Sequence, residues 1–493
     1  MRYADADGDE HGDASRPLAC AQQNLVSSTD ADDCDDQDAT VHPDVDESDT
    51  PCDGIDNDCD GAIDGGLRVP EDYALPSAAM AAAEDGDTVC VGPGNYVDRL
   101  HFYHTNLQVI GVAGAAATVI DGAGSGSVVF ADLASSATLR GFTITGGLAE
   151  VGAGIYVRGP AVTLEDLIVT DNTCVAVRCE GTGIHAESWA GAISIRRTQV
   201  INNSTVGASV GGGAIFLYGD AELTDVDVLD NKVSLATDPE GLVPEGFYGI
   251  VRLSGPISMT RVTIAGNHVS APHGSASLSA DGVGAYLVGA QAVLQNVTIA
   301  DNVATNTNAG GVGIYVDQYS RGTFTNVVIA GNRVDAAPAL GRGAGALILG
   351  EATFTNVDIV GNAVEAEFAA HDGGLYSFDA VLTNVSIADN VVSSPGTAQA
   401  GAMSVFPEVV IRYSSFSNNG SDPFDGYPSP VGSNGNIEGT PDYLNLTNAS
   451  AAAWDLTLGP SSTLRDAGDP AILDADGTRS DIGSRGGPLG LDW

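Results

Sequence analysis

An asparagine recurs at the end of a short apolar segment, at positions 172, 203, 231, 267, 302, 332, 362, 390 and 419, with spacings of 31, 28, 36, 35, 30, 30, 28 and 29. A unit repeats around it: Gly-x-Gly-[Ala/Ile]-Tyr-[Leu/Val], a short turn, then [Leu/Phe]-x-Asn-Val-x-Ile-x-[Asp/Gly]-Asn. Gly284-Ala285-Tyr286-Leu287 followed by Leu294–Asn302 is one clear copy, and Gly345-Ala346-Leu347-Ile348 followed by Phe354–Asn362 is another. A period near 30 with two-residue alternation inside it predicts one coil per repeat, the coils stacked as parallel strands ~4.8 Å apart. Glycine at 63 residues and aromatics at 6% suit such a solenoid of short strands and tight turns.

The apolar pattern predicts the cross-section. Leu294, Val297 and Ile299 point inward, and Gln295 and Thr298 outward. Asn296 falls where the alternation breaks and should bend the chain between two strands, because asparagine tolerates the left-handed conformation. Stacked closing asparagines can form a hydrogen-bonded ladder. Length varies after each of them, in Lys232–Glu245, His268–Asp281, Arg333–Arg342 and Ala363–Asp372, so these segments are expected along one variable edge. Tyr156, Tyr286, Tyr315 and Tyr376, with Leu347 in an intervening coil, should face outward in a broken aromatic stripe. Such a stripe either stacks on sugar rings or another surface, or only stabilises neighbouring strands.

The opening of this region, Ala81–Tyr96, with Leu107-Gln108-Val109-Ile110-Gly111, Thr118-Val119-Ile120-Asp121-Gly122 and Leu139–Gly147, resembles right-handed parallel β-helix proteins of the pectin-lyase-like superfamily. The expected fold is therefore all-β, a right-handed parallel β-helix over residues 67–493. Residues 67–100, with a short helix around Ser77–Ala83, should cap its first coil. Residues 421–493, which resemble the C-terminal part of secreted bacterial β-helix proteins, should fold over its last.

Residues 1–66 differ in kind. They hold three aspartate clusters: Asp5-Ala6-Asp7-Gly8-Asp9 through Asp13, Asp32-Asp33-Cys34-Asp35-Asp36-Gln37-Asp38, and Asp56-Asn57-Asp58-Cys59-Asp60-Gly61 through Asp64. Oxygen ligands at alternate positions before a glycine turn suit a hard cation. Against the EF-hand pattern, Asp56, Asp58 and Asp60 fill the first three positions, Gly61 the turn and Asp64 the ninth. Leu67 stands where the bidentate glutamate belongs, so the loop is closer to those of thrombospondin type 3 repeats. The segment also resembles the metal-binding repeat of bacterial surface proteins related to a methanotroph copper-binding protein. The likeness runs through Asp33–Asp36, Ala39–Pro43 and Cys52–Gly61. No tryptophan is present in this segment, and only His11 and His42 offer nitrogen there, so calcium rather than copper is the expected ion. The ligand candidates are Asp5, Asp7, Asp9 and Asp13; Asp33, Asp35 and Asp38; and Asp56, Asp58, Asp60 and Asp64.

Four of seven cysteines lie in this small segment, which reads as disulfides in an oxidising compartment. Three pairings are possible, and Cys20–Cys34 with Cys52–Cys59 is the one expected. Cys174–Cys179 should form a loop bridge, and Cys90 should be a free, buried strand residue. Zinc is disfavoured by the lack of a Cys-x-x-Cys pair.

The formal charge is −46, from 65 Asp and Glu against 19 Lys and Arg, with Lys232 the single lysine. Such a field repels nucleic-acid phosphate and anionic lipid, and suits cation binding or saline solubility. No apolar run is long enough to span a membrane. No signal peptide marks Met1, and the chain opens almost inside a metal-type motif, as expected of a mature or excised piece.

The superfamily's enzymes imply recognisable catalytic sets, but Gly-His-Gly, Asn-Thr-Asp and Arg-x-Pro-x-x-Arg are all absent. Walker, Gly-x-Ser-x-Gly and His-Glu-x-x-His signatures are missing too. The nearest cluster is Asp317, Tyr319 and Arg321, with His371-Asp372 and Asp379 a few coils away. The expected function is a calcium-stabilised, non-catalytic extracellular or cell-surface protein, presenting a β-helix to polysaccharide or a surface component. The alternative is a polysaccharide lyase or glycoside hydrolase acting on an acidic polysaccharide, with carboxylates drawn from different coils.

Overall fold

The computed structural model describes residues 2–18, 26–45, 52–61, 66–103, 106–132, 136–237, 246–272, 278–337, 340–420, 423–425 and 428–490. From Leu67 onward the chain winds as a right-handed parallel β-helix. One coil serves as the type. Ile314–Val316 and Arg321–Ala330 lie in a continuous sheet of 25 strands. Arg333–Ala337 and Leu340–Arg342 each lie in an eight-stranded sheet. The length-variable segments are therefore not mere insertions, because His268–Asp281, Arg333–Arg342 and Ala363–Asp372 each carry two further strands of the coil, and Lys232–Glu245 carries one, with Gly246–Tyr248 directly after it. Every described strand of the solenoid pairs in parallel with its counterpart one coil away, as in Tyr286↔Tyr315 and Val297↔Val327.

Alternation fills the interior. Leu294, Val297 and Ile299 are fully buried, as are their equivalents Phe324, Val327 and Ile329. Asn296 bends the strand at φ 54, and Asn326, Asn356 and Asn384 repeat that conformation in the following coils. In earlier coils Asp166, Arg197, Asp225 and Arg261 hold the same corner with positive φ. The closing asparagines form the ladder. From Asn172 to Asn390, each donates its backbone N–H and its Nδ2 to Oδ1 of the next, as in Asn302 to Asn332 at 3.2 and 3.0 Å. Nδ2 also donates to a strand carbonyl, Ile264 in the case of Asn302. A second left-handed corner follows at Gly282, Gly311 and Gly343, where an added Cβ would stand 2.5–2.7 Å from a backbone oxygen.

Helix Pro76–Ala82 covers the first coil with Pro76, Ala79 and Met80 buried. The first part of the C-terminal region covers the last coil as expected, with Phe424 in the solenoid core and the Pro423 carbonyl accepting from Ala402 and Met403 N–H, but the rest does not. Ile437 adds one parallel bridge beyond Ser415, but the chain then turns back along the outside of the solenoid. Ser450 reaches Asp301, the Tyr443 hydroxyl donates to Asp358 at 2.5 Å, and Asn326 donates to the carbonyls of Ser484 and Gly486. This strap buries a second small core of Ala300, Ala330, Val360 and Ala388 under Ala451 and Leu456.

The disulfides also depart from expectation. Cys34 pairs with Cys59, and Cys52 pairs with Cys90, whereas Cys174–Cys179 forms as expected. Cys20 lies outside the described residues. Val89 and Val91 point into the first coil, so alternation turns Cys90 outward, where the acidic module covers it and brings Cys52 against it.

Candidate functional site

Two regions carry chemistry. The first is the acidic module, where antiparallel strands Tyr3–Ala4 and Ser27–Ser28 bring the first two aspartate clusters together. Carboxylate oxygens of Asp7, Asp9 and Asp33 lie within 4.8 Å of one another. Asp9 and Asp33 each spend one oxygen on a turn, accepting from His11 N–H and Asp35 N–H at 2.8 Å. Asp9 Oδ2, Asp33 Oδ2 and both oxygens of Asp7 are shielded from solvent with no hydrogen-bond partner. Burial and the neighbouring Asp9 carboxylate push Asp7 up from its ordinary pKa, and burial with Asp9 and Asp7 does the same to Asp33. Converging, unpartnered carboxylate oxygens fit a hard cation, which would offset their repulsion.

The other candidates fall differently. Asp5, Asp7 and Asp36 also converge, but Asp36 is engaged by Ala6 N–H at 2.7 Å and Arg16 at 2.8 Å. Sequence reasoning left Asp36 out. Asp56, Asp58 and Asp60 converge as the spacing implied. Asp56 accepts from the N–H groups of Asp60 and Gly61, and Asp58 from that of Asp60. Asp13 turns to Ser15 and Asp38 to Thr40. Asp35 is exposed, and Asp64 lies outside the described residues. His11 and His42 stack at 4.8 Å, and His11 Nδ1 meets Asp32 at 3.0 Å, so neither ring joins the oxygen cluster.

The second region is the outer face of the strands around Ile314–Val316. Parallel register aligns His101, Phe130, Tyr156, His185, Phe216, Arg252, Tyr286, Tyr315, Leu347 and Tyr376 in one column. The tyrosine stripe is thus part of a longer column that sequence reasoning saw only where tyrosine occurs. The missed signal was position: all members but His101 and Arg252 stand four residues after the positive-φ corner, as His185 after Gly181 and Phe216 after Gly212. Tyr156 lies between Phe130 at 5.2 Å and His185 at 5.4 Å. Tyr286 stacks on Tyr315 at 4.7 Å, and Arg342 covers Tyr376 at 4.8 Å. The ring faces are therefore occupied by neighbours, and the column offers edges and hydroxyls. Burial raises the phenol of Tyr286 and pushes that of Tyr315 up to about 12.

Rings with uncovered faces stand on the rim instead. Trp189 and Tyr218 are 57% exposed and Tyr319 is 76% exposed, and none has a ring neighbour among the described residues. On the opposite side of the column, across the glycine corner, Tyr248, Asp281, Gly310 and Arg342 are successive register partners. Burial pushes the carboxyls of Asp281 and Asp372 up to about 7. The cluster noted in the sequence does not converge. Asp317 closes a turn, accepting from Gly289 and Tyr319 N–H and from Ser320 Oγ. Arg321 pairs with Glu351 at 3.0 Å, Asp372 accepts from Ser404 at 2.5 Å, and Asp379 is exposed.

Residues 33–65 match the Cu-binding_MopE family model, described as "Putative metal-binding motif". Among curated proteins no sequence matches this chain. Among solved structures, the crystal structure of pectate lyase Pel9A is similar at a TM-score of 0.40 and 14% identity, covering 83% of this chain and 90% of that one. The catalytic unit of a thermostable GH87 alpha-1,3-glucanase from Streptomyces thermodiastaticus strain HF3-3 aligns at 0.29 and 12%, covering 75% and 70%. Residues 33–65 thus match a metal-binding motif, and the stacked parallel strands that follow form the β-helix.

Proposed function

We propose that this is a non-catalytic extracellular or cell-surface protein, stabilised by calcium, whose β-helix binds glycan along the aromatic face. The observation that carries the reading is the three exposed rim rings, Trp189, Tyr218 and Tyr319, beside a column that is aromatic except at Arg252 and Leu347. Flat apolar rings with free faces suit the apolar faces of sugars. Three disulfides support an oxidising setting. The all-oxygen donor set of Asp7, Asp9 and Asp33 supports calcium over copper.

A glycan array probed with the full chain, with and without calcium, tests the reading. Binding should fall by about tenfold for each of Trp189→Ala and Tyr319→Ala, equivalent to ~1.4 kcal/mol per ring. Retained binding in the double variant would refute the face. A second reading, polysaccharide cleavage, is favoured by Asp281 and Asp372, carboxyls held near neutral pKa as a general acid requires. Release of unsaturated or reducing ends, abolished by Asp281→Asn or Asp372→Asn, would establish it in place of the first.

A further inference from the structure

Resting on that reading, we infer that the corner trough from Arg252 to Arg342 selects a glycan bearing anionic groups, whether uronate carboxylates or sulfate esters. Cations are scarce here, 19 against 65 acidic residues, and those on the solenoid surface are generally neutralised. Arg158 holds Glu187, Arg196 holds Glu222, Arg197 holds Asp166, Arg261 holds Asp225 and Arg321 holds Glu351. Neither Arg252 nor Arg342 has an ion-pair partner among the described residues; each is held by aromatic rings instead.

The geometry is that of donors held ready. Arg252 Cζ lies 5.2 Å from the Phe216 ring centroid and 5.8 Å from that of Tyr248. Its Nη1 occupies the room left by Gly211, where a Cβ would stand only 2.7 Å away. Arg342 lies 4.8 Å over Tyr376. The Nε of each is shielded from solvent and has no hydrogen-bond partner. A planar guanidinium fixed on aromatic rings keeps its fork of N–H groups for a carboxylate or sulfate.

Placement makes the two arginines one site. Arg342 stands three coils beyond Tyr248 in register, a rise of about 14 Å. One coil rise is of the same order as one pyranose ring in an extended chain, so a glycan along the trough can present charged groups to both. Tyr286 and Tyr315 lie between them, and at Gly310 the space a side chain would take is held by Asp281 Oδ1 and Leu347 Cδ1. Asp281 in this stretch and Asp372 beside Arg342 are both pushed up to about 7 by burial, so they neutralise the arginines only weakly.

The full chain in calcium should be titrated with dextran, carboxymethyl-dextran and dextran sulfate, which share a backbone, and likewise with cellulose oligomers and carboxymethylcellulose. At least one charged member should bind tenfold or more tighter than its neutral parent, with affinity falling as salt rises; which one identifies carboxylate or sulfate. Arg252→Gln and Arg342→Gln should each reduce that preference about tenfold with an unchanged melting temperature, while Arg321→Gln leaves it intact. Gly211→Ala, which displaces the guanidinium without removing its charge, should reduce it too, guarding against a folding defect in the arginine variants. Equal affinity for charged and neutral members, or a preference insensitive to Arg252→Gln, overturns the inference. If neutral glycans still bind and Trp189→Ala abolishes this, the glycan-binding reading survives alone; if no polymer binds, both fail.

Discussion

Each ladder asparagine spends its whole amide on the stack. Asn302 accepts twice from Asn267 through Oδ1 and donates to Ile264 O and Asn332 Oδ1. Asn302→Ala would strand two N–H groups of Asn267 in a dry corner, at a cost of roughly 2–4 kcal/mol by urea unfolding. An equivalent change at exposed Gln291 should cost under ~0.5 kcal/mol. Asp372 shows a different residue-level effect. Its folded pKa is pushed up to about 7, above the unfolded carboxylate value, because it is buried. The protonated form is the one the fold favours, so its contribution is full below about pH 4 and is lost as pH rises towards 7. The slope is about 1.4 kcal/mol per pH unit over that window. Asp372→Asn should remove the slope, so the variant gains on the parent chain between pH 5 and pH 7.5 in paired unfolding curves. A constant difference across that range would contradict this account.

Among the elements, the acidic module is the one whose cohesion rests least on apolar packing. Calcium binding should stabilise it by mass action, by about 2.7 kcal/mol at one hundred times the dissociation constant. Asp33→Asn should weaken calcium uptake at least tenfold by calorimetry, and Asp56→Asn less, because the oxygens of Asp56 are already hydrogen bonded to backbone. Cys52→Ser should leave the solenoid's melting unchanged while residues 2–61 become sensitive to protease, since Cys52–Cys90 joins module to coil. How much of this was legible in the sequence depended on repetition. Asn296, Leu294 and the closing asparagines recur, so coil, corner and ladder could all be read from spacing. The module occurs once, and its pairings depend on which loops meet in space. Cys90 looked like core because its neighbours Val89 and Val91 are, although alternation already aimed it outward. The aspartates were grouped along the chain, whereas the structure joins Asp7 and Asp9 to Asp33 across a turn. Tyrosine spacing revealed part of the column, but not that His185 and Phe216 complete it or that stacking would hide the ring faces.

For the molecule as a whole, the C-terminal strap divides the solenoid into two unlike halves. Under the strap the bend residue is asparagine, and Asn326, Asn356 and Asn384 hold Ser484, Ser480 and Asp469. Before it the same corner carries Asp166, Arg197, Asp225 and Arg261, linked in pairs across coils. That switch in residue type was present in the sequence, but its meaning needed the strap to be seen. In the first half, among the described residues, nothing links a coil to any but its immediate neighbours, so a coil there is an interchangeable unit. Removing residues 184–214 would join Gly183 to Ile215 at matching register and should give a folded protein shorter by about 4.8 Å. The same excision under the strap, from Ile314 to Gly345, would put Asp301, Asn356 and Asn384 out of step with their partners and should release the strap to protease. Scattering length and limited proteolysis distinguish the two. The molecule is thus a ruler that can be lengthened or cut at one end only, and descendants of this chain that differ in reach should differ in the number of coils between the acidic module and Arg261.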